Sequence, residues 1–228
     1  MRQWFGDVRM PPAQFNQPMI TDQETPMQLH YMPSSPYVRK VCVCAIEAGV
    51  DELIERVDTD IRDKESGIRD ANPLGKVPAM RLKNGDVLFD SVVICEFLDN
   101  INEDSRLFPG YGPERWDVLR QHAQANGIID AVWIRRREGI RDAAKRSESL
   151  MRHQVRAINA ALDAFEKEVP AFSENPNIAT ITLGVAMGYM DFRMPEMSWR
   201  DDRPALTDWY MTFSERPSMR DTMPEDAK

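Results

Sequence analysis

The sequence predicts an α/β domain followed by an all-helical domain. Three observations carry that expectation: a strand–helix–strand order near the start, a hairpin signal followed by another helix, and only helix-period apolar patterning from residue 114 onward.

Gln28 to Met32 alternates in residue type and reads as a short strand beginning at Met27, which Pro33 to Pro36 breaks. A helix follows, with Val38, Val41, Cys42, Ala45 and Ile46 at helical spacing and Gly49 where a C-terminal cap falls. Leu53 to Val57 reads as a second strand, so the pair is parallel with the helix as its crossover. Asp58 to Ala71 reads as polar and irregular. Val77 to Leu82 and Val87 to Phe89 flank Lys83-Asn84-Gly85-Asp86, and Asn-Gly between two such runs is a strong hairpin signal. Asp90 and Ser91 open the next helix, which carries Val92, Val93, Phe97 and Leu98. This β-α-β, then β-β-α order over residues 27–101 is that of the thioredoxin-like fold.

Residues 102–113 hold two Pro and two Gly among charges and read as a linker. The remainder, 114–228, reads as a helical bundle. Trp116, Leu119, Ala123, Ile129 and Trp133 are roughly in phase on a long helix. Met151, Val155, Ile158, Leu162, Phe165 and Val169 step by four and three, which makes a bundle stripe. Ile178 to Met190 is apolar nearly all round and should be the buried central helix, with Asn177 as its N-cap. Ala205 to Phe213 starts a last helix before a Pro-containing tail.

Composition excludes several classes of function. A charged fraction of 29% beside 42% hydrophobic residues suits a globular core. The formal net charge of −8 opposes nucleic-acid binding and docking to anionic membranes. The longest apolar run is shorter than the ~20 residues of a membrane span. Residues 1–26 contain four Pro among polar residues and no apolar leader core, so they read as a flexible extension. Three Cys without an export signal suggest a cytoplasmic location. Cys42 and Cys44 lack redox or zinc spacing, Cys42 reads as core filler, and the three His form no metal constellation. Arg135-Arg136-Arg137 reads as a solvated helix face, with one Arg lining the acceptor pocket as the alternative, and Trp133 as core rather than acceptor site.

Three motifs carry the chemistry. Ser34-Ser35-Pro36-Tyr37-Val38-Arg39-Lys40 opens the first helix, Asn72-Pro73-Leu74-Gly75-Lys76-Val77-Pro78-Ala79 leads into the third strand, and Phe89-Asp90-Ser91 precedes the next helix. As a set they resemble the glutathione site of bacterial serine-type glutathione transferases, and the resemblance runs from about Met27 onward. It implies glutathione as co-substrate and a small, hydrophobic electrophile as acceptor. It also implies a homodimer.

The chemistry of the ligand gives each motif a task. A helix N-terminus offers free N–H groups and about half a positive charge, so Ser91 suits the γ-glutamyl carboxylate, with Asp90 facing the ammonium. The plainer alternative is that both residues only cap the helix. By resemblance Pro78 follows a cis bond, and Val77 offers a peptide edge to the tripeptide backbone. Lys76 could reach the glycyl carboxylate, a solvated lysine being the plainer alternative. Ser35, with Ser34 as fallback, would donate a hydrogen bond to the thiolate. Lowering a thiol pKa of about 8.5 by two units requires ~2.7 kcal/mol, within reach of a charged hydrogen bond plus a helix dipole.

Ser35-Pro36-Tyr37-Val38 aligns with the Cys-Pro-Tyr-Cys of glutaredoxins, with both cysteines replaced, which disfavours disulfide exchange. Other glutathione-dependent enzymes (a reductase, an isomerase or an ether-cleaving enzyme) and a non-catalytic glutathione-binding module are the alternatives. In the family the central helix begins with Ser or Thr followed three residues later by Asp. Here Asn177 and Thr180 stand there, which predicts an incomplete capping box.

Overall fold

The computed structural model describes residues 26–102 and 104–226; all but the last residue of the extension expected at 1–26 lies outside them. The first part is a four-stranded sheet in the order β2-β1-β3-β4, formed by β1 (Met27–Tyr31), β2 (Ile54–Asp58), β3 (Met80–Arg81) and β4 (Val87–Leu88). β1 runs parallel to β2 and antiparallel to β3, and β3 runs antiparallel to β4. Between them lie α1 (Pro36–Glu47) and α2 (Ile68–Ala71), with α3 (Ser91–Ile101) after the hairpin. β2 lies one residue later than its pattern suggests, and the 58–71 segment, read as irregular, closes with the single helical turn of α2.

The second part is helical: α4 (Pro113–Gly139), α5 (Glu148–Glu168), α6 (Ile178–Arg193), α7 (Pro204–Ser214) and the short α8 (Pro217–Arg220). α6 is buried from Ile178 to Met190, as an all-round apolar helix must be. Its capping box is complete, contrary to the sequence expectation. Asn177 Oδ1 accepts from the Ala179 and Thr180 N–H groups, while Thr180 Oγ1 accepts from the Asn177 N–H at 2.9 Å. A threonine hydroxyl thus takes the place of a carboxylate.

α4 departs from the expected phase. Trp116 and Trp133 are 69% and 46% exposed, so Trp133 is not core. The buried stripe is Val118, His122, Ala125, Ile129 and Val132, which steps by four and three and contains one polar residue. The Arg135–Arg137 run is not a plain solvated face either. Arg135 pairs with Glu196 at 2.9 Å, and Arg137 lies over the Trp133 ring.

One hydrophobic core runs through both parts, from Leu29, Val41 and Leu98 to Ile129, Ile158, Leu162, Phe165 and Val185. Each such fully buried apolar side chain contributes about 1.5–3 kcal/mol. Asp99, at the end of α3, accepts from the Leu107 and Phe108 N–H groups at 2.8 and 2.9 Å and so pins the segment connecting the two parts. No helix among the described residues is long and apolar enough to cross a membrane.

Candidate functional site

Strand direction alone gathers the three motifs. β1 and β4 both run antiparallel to β3, so they point the same way and end at the same edge of the sheet. α1 and α3 therefore start from that edge, and the chain entering β3 arrives there too. Ser35, Val77-Pro78 and Asp90-Ser91 converge because the sheet has this topology.

Ser35 is the N-cap of α1, with Pro36 at the first helical position. Its side chain is 7% exposed, and Oγ accepts from the Val38 N–H at 3.3 Å. A hydroxyl that accepts in this way keeps its own proton for donation. Ser34 is half-buried. Asp90 is the N-cap of α3, its carboxylate accepting from the Val92 N–H at 3.0 Å, and Ser91 is 2% exposed. The cap occupies one Asp90 oxygen and leaves the Ser91 N–H and hydroxyl to other partners.

The Val77–Pro78 peptide is cis. The β3 ladder begins only at Met80, and the Val77 N–H and C=O have no hydrogen-bond partner among the described residues. A backbone with both groups open is an edge that another peptide can pair with. The preceding loop is built on Asn72, which is 2% exposed; its amide donates to the Lys76 C=O and accepts from the Leu74 N–H. Gly75 closes the turn at φ 61, where a side chain would strike Arg69. Lys76 itself is exposed.

Two further α1 residues, Tyr37 (a weaker candidate in the sequence, expected as a packing or pocket-wall residue) and Lys40, meet Asp130, Asn126 and His122 of the helical part near this region. Tyr37 donates to the Asp130 carboxylate of α4, a contact between the two parts two residues from Ser35. Burial and then Asp130 push the Tyr37 phenol well above the ordinary tyrosine range, and the charges of Tyr189 and Asp90 act in the same direction. One turn further along α1, Lys40 is completely buried; its ammonium donates to Asn126 Oδ1 at 3.0 Å and lies 3.4 Å from His122 Nε2. Burial lowers the Lys40 pKa. Burial and the Lys40 charge lower that of His122 to about 3, so its imidazole is neutral, with Nε2 accepting.

One signal for the buried cations was in the sequence. α1 is apolar on all sides, so its Arg39 and Lys40 had to be buried with it. Cys42 and Cys44 are buried, and burial pushes the Cys42 thiol up to about 11, which suits a packing role rather than a reactive one.

The chain matches the family model for the glutathione S-transferase N-terminal domain over residues 34–101 and that for the C-terminal domain over 131–210. It is 32% identical over 197 residues to the uncharacterized GST-like protein YibF of Escherichia coli (strain K12), covering 85% of this chain and 96% of that one. A crystal structure of a glutathione transferase family member from Pseudomonas fluorescens Pf-5, with bound glutathione, superposes with a TM-score of 0.80 at 38% identity, covering 87% of this chain and 99% of the other. A second structure from that organism, with bound S-(propanoic acid)-glutathione, gives 0.80 at 39% identity over the same shares.

Proposed function

The chain belongs to the glutathione S-transferase family, and from that premise we propose that it binds glutathione at the shared edge of the sheet and transfers its thiolate to a small electrophile. The observation that carries this reading is Ser35: a buried hydroxyl with its proton free to donate, at the start of α1. In this reading Ser91 and the α3 N-terminus hold the γ-glutamyl carboxylate, with Asp90 toward its ammonium. Val77 pairs with the cysteinyl backbone ahead of Pro78, and Lys76 meets the glycyl carboxylate.

Ser35 is not a nucleophile here. Its hydroxyl and the helix dipole favour the thiolate over the thiol, and the sulfur then attacks an electrophilic carbon held in the cleft against α4 and α6. The relatives with bound glutathione and S-(propanoic acid)-glutathione support this assignment of ligand. The reading places the glutathione domain at 27–101, a linker at 102–113 and the acceptor-side domain at 114–228, in a cytoplasmic homodimer.

The experiment is calorimetry with glutathione together with turnover of a model electrophile, on the wild-type protein and on Ser35→Ala. Heat of binding at millimolar ligand, with turnover that falls in the variant, supports the reading. Binding without turnover on any electrophile would make the protein a glutathione-binding module instead.

A further inference from the structure

α6 presents two polar residues one turn apart, Tyr189 and Arg193, with side chains respectively 3% and 8% exposed. Burial raises the Tyr189 phenol pKa, the charges of Arg193 and of Arg136 on α4 oppose that rise, and Tyr189 adds in turn to the rise at Tyr37, two residues from Ser35. Arg193 therefore lies within electrostatic reach of Tyr189, one turn before it on α6, and Tyr189 within reach of Tyr37 at the start of α1.

That guanidinium is incompletely satisfied. It lies flat on Phe192, 3.7 Å from the ring centre, and its Nε is buried without a hydrogen-bond partner. A buried donor left unmet is unfavourable, and a planar guanidinium is suited to holding a carboxylate by two bonds. In this structure Nη1 is met at 2.7 Å by Asp226, a carboxylate whose own side chain is 71% exposed. Asp226 belongs to the segment after α8, where Thr222 and Met223 lie against Arg39. An ion pair with one partner so exposed is weakly held and open to exchange.

The geometry points to an acceptor subsite for carboxylate-bearing electrophiles, centred on Arg193 with Tyr189 and Arg136 beside it, in which the ligand's carboxylate takes the place of Asp226. This specifies the substrate class of the proposed glutathione transfer and rests on that reading. With an activated aryl chloride the sulfur–carbon bond forms at the ring carbon, and chloride leaves with the C–Cl electron pair. Nothing is oxidised or reduced, and the carboxylate stays ionised as a handle that orients the ring.

Two matched probes test the subsite: 4-chloro-3,5-dinitrobenzoate and its neutral carboxamide, compared by kcat/KM with glutathione. The acid-to-amide ratio should fall at least ten-fold in Arg193→Gln and rise about three-fold or more in Asp226→Asn. The second variant lies on the surface and decides the matter even if the first does not fold. A ratio that stays level in Asp226→Asn, or in a folded Arg193→Gln, overturns the subsite. Wild-type calorimetry with glutathione separates the two layers: heat with level ratios removes only the carboxylate subsite, whereas no heat removes the reading beneath it.

Discussion

Tyr37 of α1 donates its phenolic proton to the Asp130 carboxylate of α4, so the residue that follows the Ser35–Pro36 turn also ties the sheet domain to the helical one. Tyr37→Phe and Asp130→Asn should each destabilise the protein, and together by less than the sum. Hydrogen bonds to charged groups are worth about 1.5–3 kcal/mol, and partial exposure puts the coupling here near ~1 kcal/mol. Urea unfolding of the four proteins of the cycle measures it. A coupling indistinguishable from zero would mean the contact carries no energy in solution.

Ser35 combines a structural task with a chemical one, and substitution can separate them. Replacing an N-cap serine by alanine costs about 1 kcal/mol, whereas glycine costs only a few tenths. Ser35→Gly should therefore keep most of the thermal stability that Ser35→Ala loses, while both lose turnover equally. If the glycine variant recovers turnover along with stability, the hydroxyl acts on the helix and not on the thiol.

His122 makes stability depend on pH. Its pKa lies near 3 in the folded protein against 6.5 for the free side chain. Between those values the unfolded chain binds a proton that the folded one does not, so stability rises with pH across this window and is lost as pH falls from 6.5 toward 3. The contribution is on the order of a few kcal/mol at its full extent. His122→Gln, which still offers Lys40 an acceptor, should flatten the slope of unfolding free energy against pH between 4 and 6. An unaltered slope would show that carboxylates alone set the acid limit.

The long-range order was legible where one signal sufficed. Asn84-Gly85 gave the hairpin between β3 and β4, and the four-three stepping of Ile158, Leu162 and Phe165 gave the buried face of α5. α4 was misread because its two tryptophans outweighed a quieter stripe whose members include His122 and Ala125. Periodicity rewards large apolar groups, and a buried histidine held by Lys40 and Asn126 does not register as apolar. The motif residues at the sheet edge were legible because local sequence encodes caps and turns. Asp130, Tyr189 and Arg193 were not, because what brings them toward this region is the packing of α6 against α1 and of α4 against α6, which no local pattern reports.

Asp99 is 7% exposed and receives two backbone N–H groups from the segment joining the domains. Asp99→Asn turns an amide N–H toward donors and leaves at least one of them unmet, which should cost about 2–3 kcal/mol. Chemical denaturation would show a lower midpoint, and limited proteolysis a new cut between residues 102 and 112. A variant as stable and as resistant as the wild type would show that the segment is held by Leu107 and Phe108 packing alone.

Lys40 sits sealed where α1 meets α4, whereas Lys76 stands on the surface. An amine-acylating reagent therefore meets the second at once and the first only when the sheet and the bundle separate. Followed by mass spectrometry, the slow acylation of that single amine becomes a clock for how often the two halves come apart, and any ligand that bridges them will slow it.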